Sequence, residues 1–399
     1  MMRQALFLAL QSVRWYRWRT LTIVLSLSLA LWLPITVRLL LLQFRTDITA
    51  RANFTPLVVG AAGSRTDLVL HALYLDTPAP AATTMAEAEY IQQTGFATAI
   101  PLHIRYRTQS AGGAPGVPIV GTSLEYFDFR GLRVREGQMF SVLGECVLGA
   151  AAAHRLGLRP GDTILSAPRN VLSLAGDYPL RLSITGVLAA THSADDYVVF
   201  TDSKTAWVID GIGHGHQNLT QATEDDLLLS RDSDSITASA AVLPYTEITP
   251  ENIDSFHFHG EPGTFPLTAV IAIPESEKSR TLLLGRYGTE RSLTQCLKPP
   301  EVVDDLLRIV FRAEQLVLIS SLVMGVITVM LLTLVLSLSL RLREAEMQTM
   351  FRLGCSRATI GMLFGAEIVL MLTAATILAL VAAWLTRLIA AESLRTLLF

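Results

Sequence analysis

The chain has 399 residues, of which 51% are hydrophobic and only 17% charged, and its mean hydropathy is +0.42. That balance excludes an ordinary soluble enzyme and places part of the chain in lipid, while the length leaves room for two or more domains at ~100–200 residues each. A formal net charge of −3 and a pI near 6.3 provide no domain-wide basic field, so nucleic acid is not expected as a partner.

The N-terminus, MMRQALFLALQSVRWYRWRT, is amphipathic and carries Arg3, Arg14, Arg17 and Arg19 with no acid among them. It is longer than the charged region of a secretory signal and reads as an interfacial helix leading into a retained anchor. The first span covers 21–37, followed by Arg38, expected to snorkel outward, and LLLLQF. Beyond it the composition turns mixed. MAEAEYIQQTG (85–95) and ECVLGAAAAHRLGLRPGD (145–162) read as helices. DTILSA, LRLSITGVLAATHS (180–193), DYVVFTD (196–202) and LTAVIAIPE (267–275) read as strands. PPEVVDDLLRIVFRAEQ (299–315) has helical spacing and runs without a breaker into a second span, 316–340, which holds no charge; one stalk helix is expected over about 300–343. A third span covers 368–385.

Arg341, Arg343, Arg352 and Arg357 between the last two spans, together with the N-terminal arginines, put both segments in the cytoplasm and the region from about 45 to 314 outside. The fold class is therefore a membrane protein with an α-helical region of three spans and a large mixed α/β extracytoplasmic domain. Three parts follow: 1–44 with the first span, 45–298 as the external domain, and 299–399 with the stalk, two spans and a cytoplasmic loop at 341–367.

Half of the 8 histidines lie in GIGHGHQNL and SFHFHGE, as His214, His216, His257 and His259. On a strand His257 and His259 share one face, a spacing suited to one metal ion, and His214 and His216 sit on a glycine-framed loop. Neutral imidazole suits zinc, copper or nickel, and Asp210, Glu224, Asp225, Asp226, Asp254 and Glu261 lie near enough in sequence to add oxygen. The competing reading is that each histidine only bonds local backbone and that the two pairs do not converge. His71, His103, His154 and His192 are isolated and read as solvated or core-satisfied. Cys146 and Cys296 share the external region and are available to pair in an oxidising compartment; Cys355 falls in the cytoplasmic loop. No G-x-x-x-x-G-K-[ST], H-E-x-x-H or other catalytic set is present, so the chain has no phosphate cradle and is not expected to be an enzyme.

RLREAEMQTMFRLGCSRATIGMLFGAE (341–367) orders arginines, Glu346, the turn Leu353-Gly354-Cys355-Ser356-Arg357, and Glu367 before the last span. This resembles the pattern joining two transmembrane helices in the MacB/FtsX/LolC superfamily of ABC permeases, with Cys355 at the usual Ala place. GTSLEYFDFRGLRVREGQMF, CVLGAAAAHRLGLRPGDTI and ITGVLAATHSADDYVVF resemble the MacB periplasmic core domain, and PLVVGAAGSRTDLVLHALY (56–74) resembles a subgroup of these permeases. The resemblance implies a permease subunit in a bacterial inner membrane that binds no cofactor directly and is driven by ATP hydrolysed on a separate ATPase subunit. Glu346, Arg352, Gly354, Ser356, Arg357 and Glu367 would couple to that subunit, the two glutamates as structural residues at a helix end. It further implies a homodimer or a pair with a related permease, an extracytoplasmic adaptor or binding protein, surrounding lipid, and movement of the outer domain by mechanotransmission, with a link to zinc homeostasis. The alternative within the superfamily is an FtsX-like transmitter regulating an extracytoplasmic partner. Members of this type carry four spans; three are found here, which puts the C-terminus outside or a fourth span beyond AAESLRTLLF.

Overall fold

The computed structural model describes residues 2–110, 115–167, 179–215, 228–231, 236–238, 246–289, 291–342 and 344–398. Two compact units emerge: Met1–Ile48 with Asp305–Leu398, and Thr49–Asp304.

The chain opens with α1 (Met2–Trp15) and α2 (Arg17–Phe54), then β1 (Leu57–Ala61), α3 (Arg65–Tyr74), β2 (Thr83–Thr84), α4 (Met85–Gln93), β3 (Ala97–Arg107) and β4 (Pro118–Thr122). Next come α5 (Glu125–Arg130), β5 (Val134–Gly137), β6 (Glu145–Leu148), α6 (Ala150–Leu156), β7 (Thr163–Leu165), β8 (Arg181–Leu188), β9 (Val199–Asp202) and α7 (Ser203–Ile209). Short strands follow: β10 (Gly213–His214), β11 (Leu228–Arg231), β12 (Ile236–Ala238), β13 (His257–Phe258) and β14 (Pro266–Leu267). The unit closes with β15 (Ala269–Pro274), α8 (Glu277–Thr289) and β16 (Thr294–Leu297), before α9 (Pro299–Leu342), α10 (Glu344–Arg352) and α11 (Arg357–Leu398).

The second unit is built on a ten-stranded mixed sheet in the order β16-β1-β15-β3-β4-β9-β6-β8-β5, with β7 paired to β8. Its pairs are antiparallel except β4–β9 and β6–β8. β4 (PIVGT) is buried at every residue and β1 (LVVGA) at four of five. Such strands lie covered on both faces, which is why they read as apolar runs rather than alternations. Among the described residues, two apolar clusters lie in this unit. One gathers Leu57, Ile91, Trp207, Phe265, Val270 and Leu283, and the other Ile119, Cys146, Leu148, Leu182, Ile184 and Val199.

The expected helix over 145–162 is corrected here. ECVL is a buried strand, and only Ala150–Leu156 is helical. A four-residue apolar run cannot be assigned by periodicity, and the AAAA that follows it favours helix. Cys146 and Cys296 do not pair: both are free thiols, on β6 and β16. Six strand spacings separate those strands, about 29 Å at ~4.8 Å each. Burial pushes the Cys146 thiol up, and that of Cys296 to about 12, which favours the protonated thiol in both. His71 is buried, with Nδ1 3.0 Å from the Thr77 carbonyl, and burial holds its pKa below the ordinary value.

Among the described residues three helices are long and apolar enough to span a membrane, with candidate spans at Arg17–Phe54, Leu318–Val335 and Arg357–Ile389. α1, expected as an interfacial helix, packs on α11. The buried residues of α11 recur every fourth position, as Leu363, Glu367, Met371, Ala375, Ala379 and Ala383. Spacing by four keeps one ridge of a helix facing its neighbour, and small residues along it let backbones approach. Ile23 and Leu27 of α2 pack against Met371 and Ala375, and Trp32 donates to the Thr386 hydroxyl at 3.2 Å. The apolar window of α9, by contrast, has no buried residue among those described.

Candidate metal centre and coupling segment

β10 and β13 form a two-stranded antiparallel ladder in which Gly213 faces Phe258 and His214 faces His257. The His259 amide donates to the Ile212 carbonyl at 3.0 Å, which extends the same register. Residues opposite one another, or two apart, share a face of a ladder. His214, His257 and His259 therefore lie together. Their ring centroids are 4.9, 4.8 and 4.9 Å apart, and one ligand nitrogen from each falls within 4.8 Å of the others. His257 Nδ1 sits 3.0 Å from the Ser255 carbonyl. Donation of Nδ1–H there puts the imidazole lone pair on Nε2. Of the remaining histidine called with them, His216 lies outside the described residues, as do Glu224, Asp225 and Asp226.

The glycines of GIGHGH have a steric role here. A Cβ on Gly213 would stand 2.6 Å from the Phe258 ring, and one on Gly215 2.6 Å from the Phe256 ring. Alternating glycines thus admit the two phenylalanines on one face and leave the imidazoles on the other. Phe258 packs against Phe265 (6.0 Å), which meets Trp207 at 4.9 Å, anchoring the ladder to the first cluster. Gly213→Ala is expected to lower thermal stability of the purified chain by about 1–3 kcal/mol through overpacking; a melting temperature equal to that of the wild type would count against this packing. Asp210 does not join the histidines. It accepts from the Tyr106 hydroxyl and lies 3.4 Å from His103 Nε2.

The segment 341–367 is a helix stop followed by a helix start. Gly354 has φ +94°, its amide donates to the Phe351 carbonyl (3.0 Å), and the Cys355 amide donates to Met350 (3.1 Å). This pair of bonds ends a helix with a left-handed residue, a position glycine occupies without strain. Ser356 Oγ then accepts from the Thr359 amide at 3.2 Å and caps α11. Leu-Gly-Cys-Ser-Arg is therefore a structural instruction in its own right. A cavity of about 400 Å³ lies between α10 and α11, lined by Met347, Phe351, Arg352 and Arg357 among others, with the Arg357 guanidinium 5.8 Å from the Phe351 ring centroid. Glu346 lies on the backbone of α10.

Glu367 is not at a helix end. It is ten residues past Arg357, the first residue of α11, is 3% exposed, pairs with the Arg19 guanidinium, and accepts from Ser12 Oγ at 3.3 Å. Nothing in the local sequence marks this partnership, because Arg19 reads equally well as a topology charge.

A second buried pair closes the end of α2. Arg51 donates to both oxygens of Asp195, at 2.7 and 2.9 Å, and Tyr126 donates to Asp195 at 2.6 Å. Arg51 also reaches the Leu73 carbonyl and the Tyr126 hydroxyl oxygen (3.2 Å). Burial alone would raise the Asp195 pKa, but the Arg51 charge and these bonds hold it well below the carboxylate range. Burial, reinforced by Asp195, pushes Tyr126 up to about 12.

The sequence profile of the MacB-like periplasmic core domain matches residues 36–241, which is 206 of the 399. The chain belongs to this family. Among solved structures, the periplasmic region of MacB from Actinobacillus actinomycetemcomitans is 11% identical, with 63% of this chain and 92% of that one covered and a TM-score of 0.34. The extracellular domain of the noncanonic ABC-type transporter YknZ from Gram-positive bacteria is 14% identical, with 60% and 98% covered and a TM-score of 0.33. No curated protein matches. As a MacB-like ABC transporter permease, the chain is a membrane protein with an extracytoplasmic core domain, and the family implies an ABC ATPase as its partner.

Proposed function

We propose that this permease works by mechanotransmission. Nucleotide-driven movement of the separate ATPase is received by 341–367 and passed to the extracytoplasmic domain, where it drives transport or release of a substrate. The observation that carries this reading is α9, 44 residues without a break, which Lys298 alone separates from β16. At ~1.5 Å per residue it is about 66 Å long, enough to carry displacement through a bilayer. Arg51 supports the same reading on α2, since its pairing with Asp195 makes the last turn of that helix one body with the sheet unit.

In this mechanism Arg352 and Arg357, beside the cavity, together with Glu346 meet the ATPase, while Gly354 and Ser356 hold the angle between α10 and α11. Glu367 fixes α11 against its neighbours. The N-terminus is cytoplasmic, and the working unit pairs two permeases, identical or related, with an adaptor outside. Gly354→Val tests the scheme, because a β-branched residue at that positive φ is strained by about 1–3 kcal/mol. In membranes holding both subunits, the variant should assemble with the ATPase yet lose most permease-dependent ATP hydrolysis. Wild-type turnover in the variant would sink the reading.

A further inference from the structure

We propose that His214, His257 and His259 form a binding site for a late divalent transition metal ion of the zinc, copper and nickel class. The site is distinct from the ATPase-coupling machinery and stands independently of it.

Three observations converge. The imidazoles come from two strands 43 positions apart in sequence (214 to 257), yet their centroids form a nearly equilateral triangle with sides of 4.8–4.9 Å. Their ligand nitrogens already lie within 4.8 Å of one another, and tetrahedral binding at ~2.0–2.1 Å would bring them to about 3.3 Å apart, a side-chain rotation rather than a backbone change. The backbone is prepared for this set, since Gly213 and Gly215 leave room for the phenylalanines that turn the histidines to the opposite face. Finally, His257 has a backbone carbonyl, that of Ser255, to fix its tautomer with the lone pair on Nε2, the usual support of a ligating histidine.

The donor set selects the ion. Three neutral imidazoles favour zinc, copper or nickel over magnesium or calcium, which take oxygen. His259 is exposed and His214 half-buried, so the cluster is reachable from solvent. A metal held there is accessible for exchange with solvent.

The test uses the full chain in detergent, stripped with chelator and titrated with zinc sulfate by calorimetry, with bound metal measured after dialysis. The wild type should retain one zinc per chain and gain thermal stability on zinc addition. His259→Gln keeps the backbone bond to Ile212 and should weaken zinc binding at least tenfold. The triple variant His214→Ala, His257→Ala, His259→Ala should abolish both retention and the thermal gain. Cobalt(II) should give the intense visible bands of a four-coordinate site in the wild type and lose them in His259→Gln. Equal zinc affinity in wild type and His259→Gln, or cobalt spectra of the six-coordinate aquo type in the wild type, would overturn the proposal. ATP hydrolysis with the partner subunit serves as the folding control and should be unchanged in His259→Gln.

Discussion

Glu367→Ala is expected to destabilise the membrane helices by about 3–5 kcal/mol, the cost of leaving a buried charge without its partner. The carboxylate is 3% exposed and stands on the every-fourth-residue ridge of α11, where Arg19 of α2 and Ser12 of α1 meet it. Removing it takes the carboxylate partner from a guanidinium whose side chain is only 25% exposed. Arg19→Ala should cost a similar amount. The exchange Arg19→Glu with Glu367→Arg should recover part of the loss, because the pair is regenerated in reverse. Unfolding in mixed micelles followed by circular dichroism measures all three. If the exchanged double variant is no more stable than either of its constituent single variants, the ion pair is not what holds the junction.

Asp195→Asn is the second large effect, again about 3–5 kcal/mol, in the extracytoplasmic unit. Asparagine offers one acceptor oxygen and no charge, whereas Asp195 accepts from Arg51 at both oxygens and from Tyr126 and Ser193. The pH dependence separates this pair from packing. The folded pKa of Asp195 lies below its unfolded value of roughly 3.9, so the pair contributes fully above pH ~4. That contribution declines as pH falls below ~4 and through the folded pKa. Wild-type stability should therefore fall more steeply between pH 4 and 2 than that of Asp195→Asn, in urea melts at fixed ionic strength. Parallel curves would show that Asp195 carries no linked proton.

How much of this could be read from residues alone depends on the range of the interaction. The spans were legible because a long run without charge has no alternative to lipid. The Leu-Gly-Cys-Ser-Arg turn was legible as a family signature, although its physical content, a left-handed glycine and a serine cap, needed dihedral angles. β6 was hidden because ECVL is too short to show a period and runs into a helix-forming alanine tract. Arg51 and Asp195 are 144 positions apart, and Arg19 and Glu367 are 348 apart, with no local pattern linking either pair. The histidines fall between these cases. Alternation placed His257 and His259 on one face, but the arrival of His214 beside them depends on a strand pairing that only the fold sets.

The distribution of thiols has a practical consequence. Cys146 is buried, Cys296 is half-buried with its pKa raised to about 12, and Cys355 is exposed in the turn between α10 and α11. A maleimide fluorophore applied to the native protein should therefore attach at a single place without engineered cysteines. That place is the turn beside the residues on which the ATPase is proposed to act. The chain thus carries its own reporter position for watching the surroundings of that turn change during a nucleotide cycle.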